Sequence, residues 1–265
     1  RDQAYDPKNE YSVPYTWGTV GVIYNSKYVD EKDIGSWDLL WNPKYSGKIL
    51  MFDNPRDAFA IGELKLGYSL NTEDRDDLRN ASYELIQQKP LVQAYVMDQI
   101  FDKMEREEAW IAPYYAGDYL LMAEENPDLK FYFPEEGFNL FIDACCIPKG
   151  CQNKEGAEAY INFLCSPEIS GENLDYLGYS TPISKAKDFM DPDISASDIA
   201  YPTEETLANG QSFLNLSVEA NHEMDALWLQ VKTQGGVDAY AVWSMVALVV
   251  LLIAYLIFRK IRRKR

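Results

Sequence analysis

Twenty consecutive residues, Ala239 to Phe258 (AYAVWSMVALVVLLIAYLIF), carry no charge. Read as a helix rising 1.5 Å per residue, such a run reaches about 30 Å, the thickness of a bilayer's hydrocarbon core. A buried core helix would not be apolar on every face and then end in cations. Tyr240 and Trp243 stand near one end of the run and Tyr255 near the other, where amphipathic rings favour the membrane interface. Arg259, Lys260, Arg262, Arg263, Lys264 and Arg265 follow. The excess of cations places the C-terminus in the cytoplasm and residues 1 to 238 outside. No LPxTG-type motif precedes the run. It is therefore read as a retained single-pass membrane helix over 239–258 with a basic cytoplasmic tail over 259–265, joined to the body through Gln234-Gly235-Gly236.

The charge of the body follows from that division. The chain of 265 residues has a formal charge of -17. Setting the six terminal cations aside leaves 19 of the 25 basic residues against 42 acidic ones, or -23. That is the wrong sign for a nucleic-acid partner, which is held by clustered Lys and Arg. With 47% apolar and 14% aromatic residues the body can bury a core, which separates it from acidic disordered tails. Position 1 is Arg, and RDQAYDPKNEYSVPY contains no apolar signal segment. An exported body then implies an export signal upstream, and a chain starting inside a longer protein is the expectation. Cys145, Cys146, Cys151 and Cys165 show no zinc spacing, and a bridge such as Cys151 to Cys165 is open to an extracellular chain.

Strand-type and helix-type runs alternate through the body. Val20–Tyr24, Gly47–Phe52, Trp110–Tyr114 and Lys130–Phe133 read as strands, and Phe138–Ile147 as a further apolar segment. Ser36 and Asp38 mark a short helix start, and Arg56–Tyr68 has helical spacing with Gly67 as its stop. Helices are predicted over Asp74–Gln88, Val92–Arg106, Gly117–Asn126, Lys154–Leu164 and residues 211–234. This alternation predicts an α/β fold with a mixed or parallel sheet.

Enzymatic readings find little support. His222 is the sole histidine and lies in the last predicted helix, where a surface position is the ordinary reading; GxSxG, GxGxxG, P-loop and HExxH patterns are missing. No catalytic residue, metal or cofactor is expected. Acids and aromatics instead gather at apparent strand ends: Asp53, Asn54 and Asp57 after GKILMF; Tyr114, Tyr115 and Asp118 after WIAP; Phe138, Phe141 and Asp143 in one segment; Tyr176 and Tyr179 around Gly178. Ligands of open α/β sheets bind outside the carboxyl ends of strands. Acids that pair with ammonium groups, between rings that stack on methylene stems, suit an alkyl polycation. Singly, each residue has a plainer reading: a tyrosine after a strand packs a core, and Asp57 complements a helix N-terminus.

Five segments together carry a resemblance: YSVPYTWGTVGVIYN (11–25), SWDLLWNPKYSGKILMFDNPRDAF (36–59), LGYSLNT (66–72), FIDACCIPKGCQNKEGAEAYINFLCSPE (141–168) and LGYSTPISKA (177–186). They resemble the spermidine/putrescine-binding proteins of ABC importers, in order, from about residue 5 to about residue 215. The resemblance implies a two-lobed α/β periplasmic-binding-protein fold of type II that closes like a flytrap, with the first lobe incomplete here. It implies lobes divided as 1–19 (remainder of the first lobe and hinge), 20–143 (second lobe), 144–187 (return into the first lobe) and 188–234 (second-lobe C-terminal part). It also implies contacts. Asn54 and Asp57 of DNPRDAF match two acids that bind ammonium groups, one of them here an amide. Tyr115 matches a ring that packs on the alkyl chain, Phe141 a second ring with Asp143 as its neighbouring acid, and Tyr179 of LGYSTP a site tyrosine. Phe213 falls where the family carries an amide side chain. The implied function is a non-enzymatic receptor outside the cell membrane, extracellular or periplasmic, that hands a polyamine to a permease with its ATPase; the apolar run 239–258 adds a tether, which suits a cell lacking an outer membrane. A membrane-anchored extracellular sensor or binding module for another cationic small molecule is the alternative.

Overall fold

The Val20–Tyr24 run is the buried half of a longer strand. In the computed structural model, which describes residues 6–234, β1 spans Ser12–Asn25 and is fully buried from Gly18 onward. Its first half pairs antiparallel with the strand Phe138–Cys146, from Ser12↔Cys146 to Thr19↔Leu140, with a bulge between Pro14 and Thr16. A proline lacks the N–H a ladder needs, so it sits naturally beside an irregularity. The second half runs between two other antiparallel strands, Ile111–Tyr115 and Leu129–Tyr132. In chain order the strands are β1, β2 (Ile49–Phe52), β3 (Val92–Val96), β4 (Ile111–Tyr115), β5 (Leu129–Tyr132), β6 (Phe138–Cys146) and β7 (Gly210–Gln211). They form one mixed sheet of order β3-β2-β4-β1-β6-β7, with β5 also on β1. β2 is parallel to both β3 and β4 and buried at every position, which is why ILMF reads as an unbroken apolar run rather than an alternating one.

Helices cover the sheet. α1 (Pro55–Lys65) opens with Asn54 as N-cap and Pro55 at its first turn, and buries every residue from Asp57 to Leu64. α2 (Arg75–Gln88) is capped by the Asp74 carboxylate, which accepts from the backbone N–H groups of Asp76 and Asp77. α3 (Ile100–Glu105) and α4 (Ala116–Glu125) flank β4, and α5 (Lys154–Leu164), α6 (Pro167–Leu177), α7 (Pro192–Ser195) and α8 (Glu204–Ala208) follow β6. α9 (Val218–Thr233) returns to pack on α1 and α2, burying Ala220, Met224, Leu227 and Val231.

Two sequence expectations change. Val92–Arg106 is not one helix: Val92–Val96 is the edge strand β3, and only Ile100–Glu105 is helical. Tyr95 and Val96 fit either period, and pairing with β2 decides the matter. The terminal helix begins at Val218 with Ser217 as its cap, while Gly210 and Gln211 join the sheet beside Phe138 and Asn139. Ser36 does start a short helix, a 3-10 turn over Trp37–Trp41. All four cysteines are free, so Cys151 and Cys165 are not bridged.

The main core gathers β1 to β5 with α1, α2, α4 and α9 around Trp37, Tyr45, Phe52 and Phe59. Leu174, Ala186, Met190 and Ala200 are buried apart from it, around α6. α5 buries none of its residues. Among the described residues no helix is long and apolar enough to cross a membrane. The span predicted over 239–258, the tail over 259–265 and the glycines of the joint lie outside those residues.

Candidate functional site

A cleft of about 370 Å³ opens where β4, β6 and the start of α1 converge, lined by Asn54, Arg56, Asp57, Tyr115, Asn139, Phe141, Asp143, Tyr179 and Phe213. All seven residues singled out from the sequence stand in this wall, together with Arg56 and Asn139, which the sequence reading did not name.

Asp57 occupies the first turn of α1 and is 7% exposed. The Tyr115 hydroxyl, from the end of β4, donates to its Oδ2 at 3.2 Å. Burial pushes the Asp57 carboxyl up from its ordinary 3.8 to about 6, against the opposing pull of the Tyr115 hydrogen bond and the Arg56 guanidinium. Asp143 differs. It lies exposed on β6 and accepts a 2.7 Å hydrogen bond from the Thr16 hydroxyl of β1.

Three rings of the same wall stand edge to face. The Tyr115 and Phe141 centroids are 5.3 Å apart at 74°, and those of Phe141 and Tyr179 6.0 Å apart at 67°. Phe141 lies over Gly18 of β1, where a Cβ would meet its ring at 2.6 Å. Tyr179 lies over Gly117 in the same way, at 2.8 Å. Its position is set from far along the chain: Trp17 donates its backbone N–H to the Ser180 carbonyl at 3.0 Å and its indole N–H to the Thr181 carbonyl at 3.2 Å. The Tyr179 hydroxyl donates to Asp118 Oδ2 at 3.0 Å behind the wall. Burial pushes Asp118 up to about 6 despite that hydrogen bond, with Asp98 adding to the rise.

Asn54 and Phe213 are occupied by local structure. The Asn54 side-chain oxygen accepts from the backbone N–H of Arg56 at 2.9 Å and of Asp57 at 3.4 Å, so the helix cap uses its acceptor and leaves the amide N–H₂ for the cleft. The Arg56 guanidinium lies over the Phe213 ring, 4.5 Å from the centroid, and donates to Asn71 Oδ1 at 2.9 Å. Asn71 also accepts from the Leu214 N–H and donates to the Ser212 carbonyl, which stitches the segment carrying Phe213 to the loop after α1. Asn139 shares a strand face with Phe141 and Asp143, and alternation along β6 is the signal that identifies it. Tyr114 and Phe138 are core residues, His222 and Tyr176 are exposed, and Asp53 pairs with Lys232 of α9. Among the described residues no group of three or more His, Cys, Asp or Glu is placed to hold a metal ion.

Two carboxylates and three rings, beside the Arg56 guanidinium and the Asn54 and Asn139 amides, give the cleft groups that can pair with a cation carrying an apolar stem. A family model for bacterial extracellular solute-binding proteins matches residues 1–206. The chain belongs to that family. It is 33% identical over 210 residues to the spermidine/putrescine-binding periplasmic protein of Escherichia coli (strain K12), covering 79% of this chain and 60% of that one. A putrescine-binding periplasmic protein of Pseudomonas aeruginosa is 28% identical, with 86% and 66% covered. Among solved structures, the spermidine/putrescine ABC transporter substrate-binding protein PotD of Streptococcus pneumoniae superposes with a TM-score of 0.77 at 34% identity, covering 87% of this chain and 71% of that one. The mixed α/β sheet is thus that of periplasmic binding proteins, and the chain spans about 60% of the length of the first of these relatives.

Proposed function

We propose that this solute-binding chain captures a polyamine, putrescine or spermidine, and serves an ABC importer as its non-enzymatic receptor. The observation that carries this reading is the placement of Asp57 and Asp143 in one cleft around the edge-to-face row of Tyr115, Phe141 and Tyr179. Terminal ammonium groups pair with the carboxylates while the methylene stem lies along the rings. At about 4 Å and an effective dielectric near 20 each such pair contributes about 4 kcal/mol before desolvation, which the exposed Asp143 realises only in part. The names of the relatives supply the ligand class and the importer, and the lining chemistry agrees with the ligand class.

The same reading includes two lobes divided at residues 19, 143 and 187, closure on the ligand, and presentation of both lobes to a permease with its ATPase. It also includes an outside location with the chain anchored through 239–258. The test is calorimetry on the full-length protein with putrescine and spermidine. Asp143→Asn is expected to weaken the preferred polyamine about tenfold or more, since it deletes a ligand charge contact without touching the core. Unchanged affinity in that variant rejects the assigned site.

A further inference from the structure

The row of side chains that lines the cleft continues beyond it. Asn139, Phe141, Asp143 and Cys145 occupy alternate positions of β6, and no bulge interrupts that strand. Cys145 points into a second cavity, of about 470 Å³, whose opposite wall is formed by Lys154, Glu158, Ile161 and Asn162 of α5. Cys165 caps the C-terminal end of α5, with its N–H donating to the Ile161 carbonyl. One turn beyond Ile161 and two beyond Glu158, it falls by helical spacing on the same face of α5 as these two cavity-lining residues. Both thiols are half-buried and free. The two are electrostatic neighbours: burial pushes each thiol up, and charge on Cys145 pushes Cys165 up further. Cys146 faces the other side of the strand and Cys151 sits on the exposed turn before α5.

We propose that Cys145 and Cys165 form a redox pair, closed to a disulfide by a low-molecular-weight disulfide such as oxidised glutathione, and that the bond ties the end of α5 to the strand carrying Phe141 and Asp143. The Cys145 thiolate attacks the oxidant's disulfide and expels one thiolate. The Cys165 thiolate then attacks the Cys145 sulfur of the mixed disulfide and expels the second. Two protein thiols become one disulfide, and the two protons they give up protonate the two expelled thiolates, so the oxidant ends as two thiols. Since thiolates are the attacking species, raised thiols make the step slow near neutral pH and faster in mild alkali. α5 buries nothing of its own, so the bond would be a principal attachment of its C-terminal end. The inference is independent of what the cleft binds.

The full chain is incubated with oxidised glutathione, digested without reduction and mapped by mass spectrometry, with free thiols counted by alkylation. The expected result is a Cys145–Cys165 cross-linked peptide, loss of two alkylatable thiols, and a rise in Tm of about 5–10 °C for a loop of this length. Cys165→Ser abolishes both the cross-link and the rise, whereas Cys146→Ser keeps them. A Cys145–Cys146 or Cys151–Cys165 link, glutathione adducts without a cross-link, or four thiols still open to alkylation overturns the proposal.

Discussion

Acidifying the solution from about pH 7.5 to about pH 5 is expected to weaken polyamine binding about tenfold. The magnitude follows from Asp57, whose carboxyl burial has pushed up to about 6. At the higher pH it is almost wholly ionised; at the lower, roughly a tenth is, while the ligand's amines, with ordinary values near 10, keep their charge throughout. A cation that needs the ionised carboxylate loses affinity in proportion to that fraction, about 1.4 kcal/mol over the interval. Binding must also expel a proton near pH 6, because the bound ammonium draws the Asp57 carboxyl down. Calorimetry in two buffers of different ionisation enthalpy reads both quantities from one series. Affinity that stays flat across the interval, or an enthalpy that does not depend on the buffer near pH 6, refutes the reasoning. In Asp57→Asn binding is weaker at the higher pH and nearly independent of pH.

Glu63, fully buried on α1 with both carboxylate oxygens lacking a hydrogen-bond partner among the described residues, is pushed up to about 8 by burial, against the pull of Arg56. Its folded value lies above its unfolded one, so its share of stability is complete below about pH 4.5 and lost as pH rises through about 8; Glu63→Gln should remove a loss of a few kcal/mol over that window, and melting curves with the parent's pH slope in the variant would reject this. Asn54→Asp keeps an oxygen for the helix cap and adds a charge to the cleft, so calorimetry at about pH 8.5, where Asp57 stays ionised even if the new carboxylate pushes it further up, should show several-fold tighter dication binding. Weaker or unaltered binding there would show that Asn54 faces the ligand only through its backbone.

The sequence made the sheet's interior legible because β2, β4 and the second half of β1 are buried on both faces and therefore written as apolar runs. Edge elements were harder. β3 is half-buried and five residues long, too short for period 2 to prevail over period 3.6, and α6 presents few apolar positions beyond Ile169, Leu174 and Leu177. Six of the seven predicted cleft residues stood out among the acids and aromatics at apparent strand ends, but the resemblance was needed to group them into one site and to add Phe213, and the structure shows why. Tyr179 takes its place from Trp17, 162 positions earlier, and Phe213 takes its place from Asn71 and Arg56. Such contacts leave no local pattern. Asn139 is the exception, since alternation from Phe141 and Asp143 identifies it without coordinates.

The two acids of the cleft are prepared differently, and this gives the replaced amide its meaning. Asp143 is exposed and accepts a hydrogen bond from the Thr16 hydroxyl. Asp57 is buried beside Tyr115, so its ionisation is lost on mild acidification unless a cation shares the site. An acid at position 54 would place a second carboxylate one helical turn from Asp57 and push Asp57 further up. With an amide there, the cap is satisfied and Asp57 keeps a value of about 6, so that it is ionised near neutral pH. Arg56, turned onto Phe213 beside the same turn, helps hold that value down. On the proposed polyamine reading, the wall around α1 would then take one positive end of the ligand and the exposed Asp143 the other.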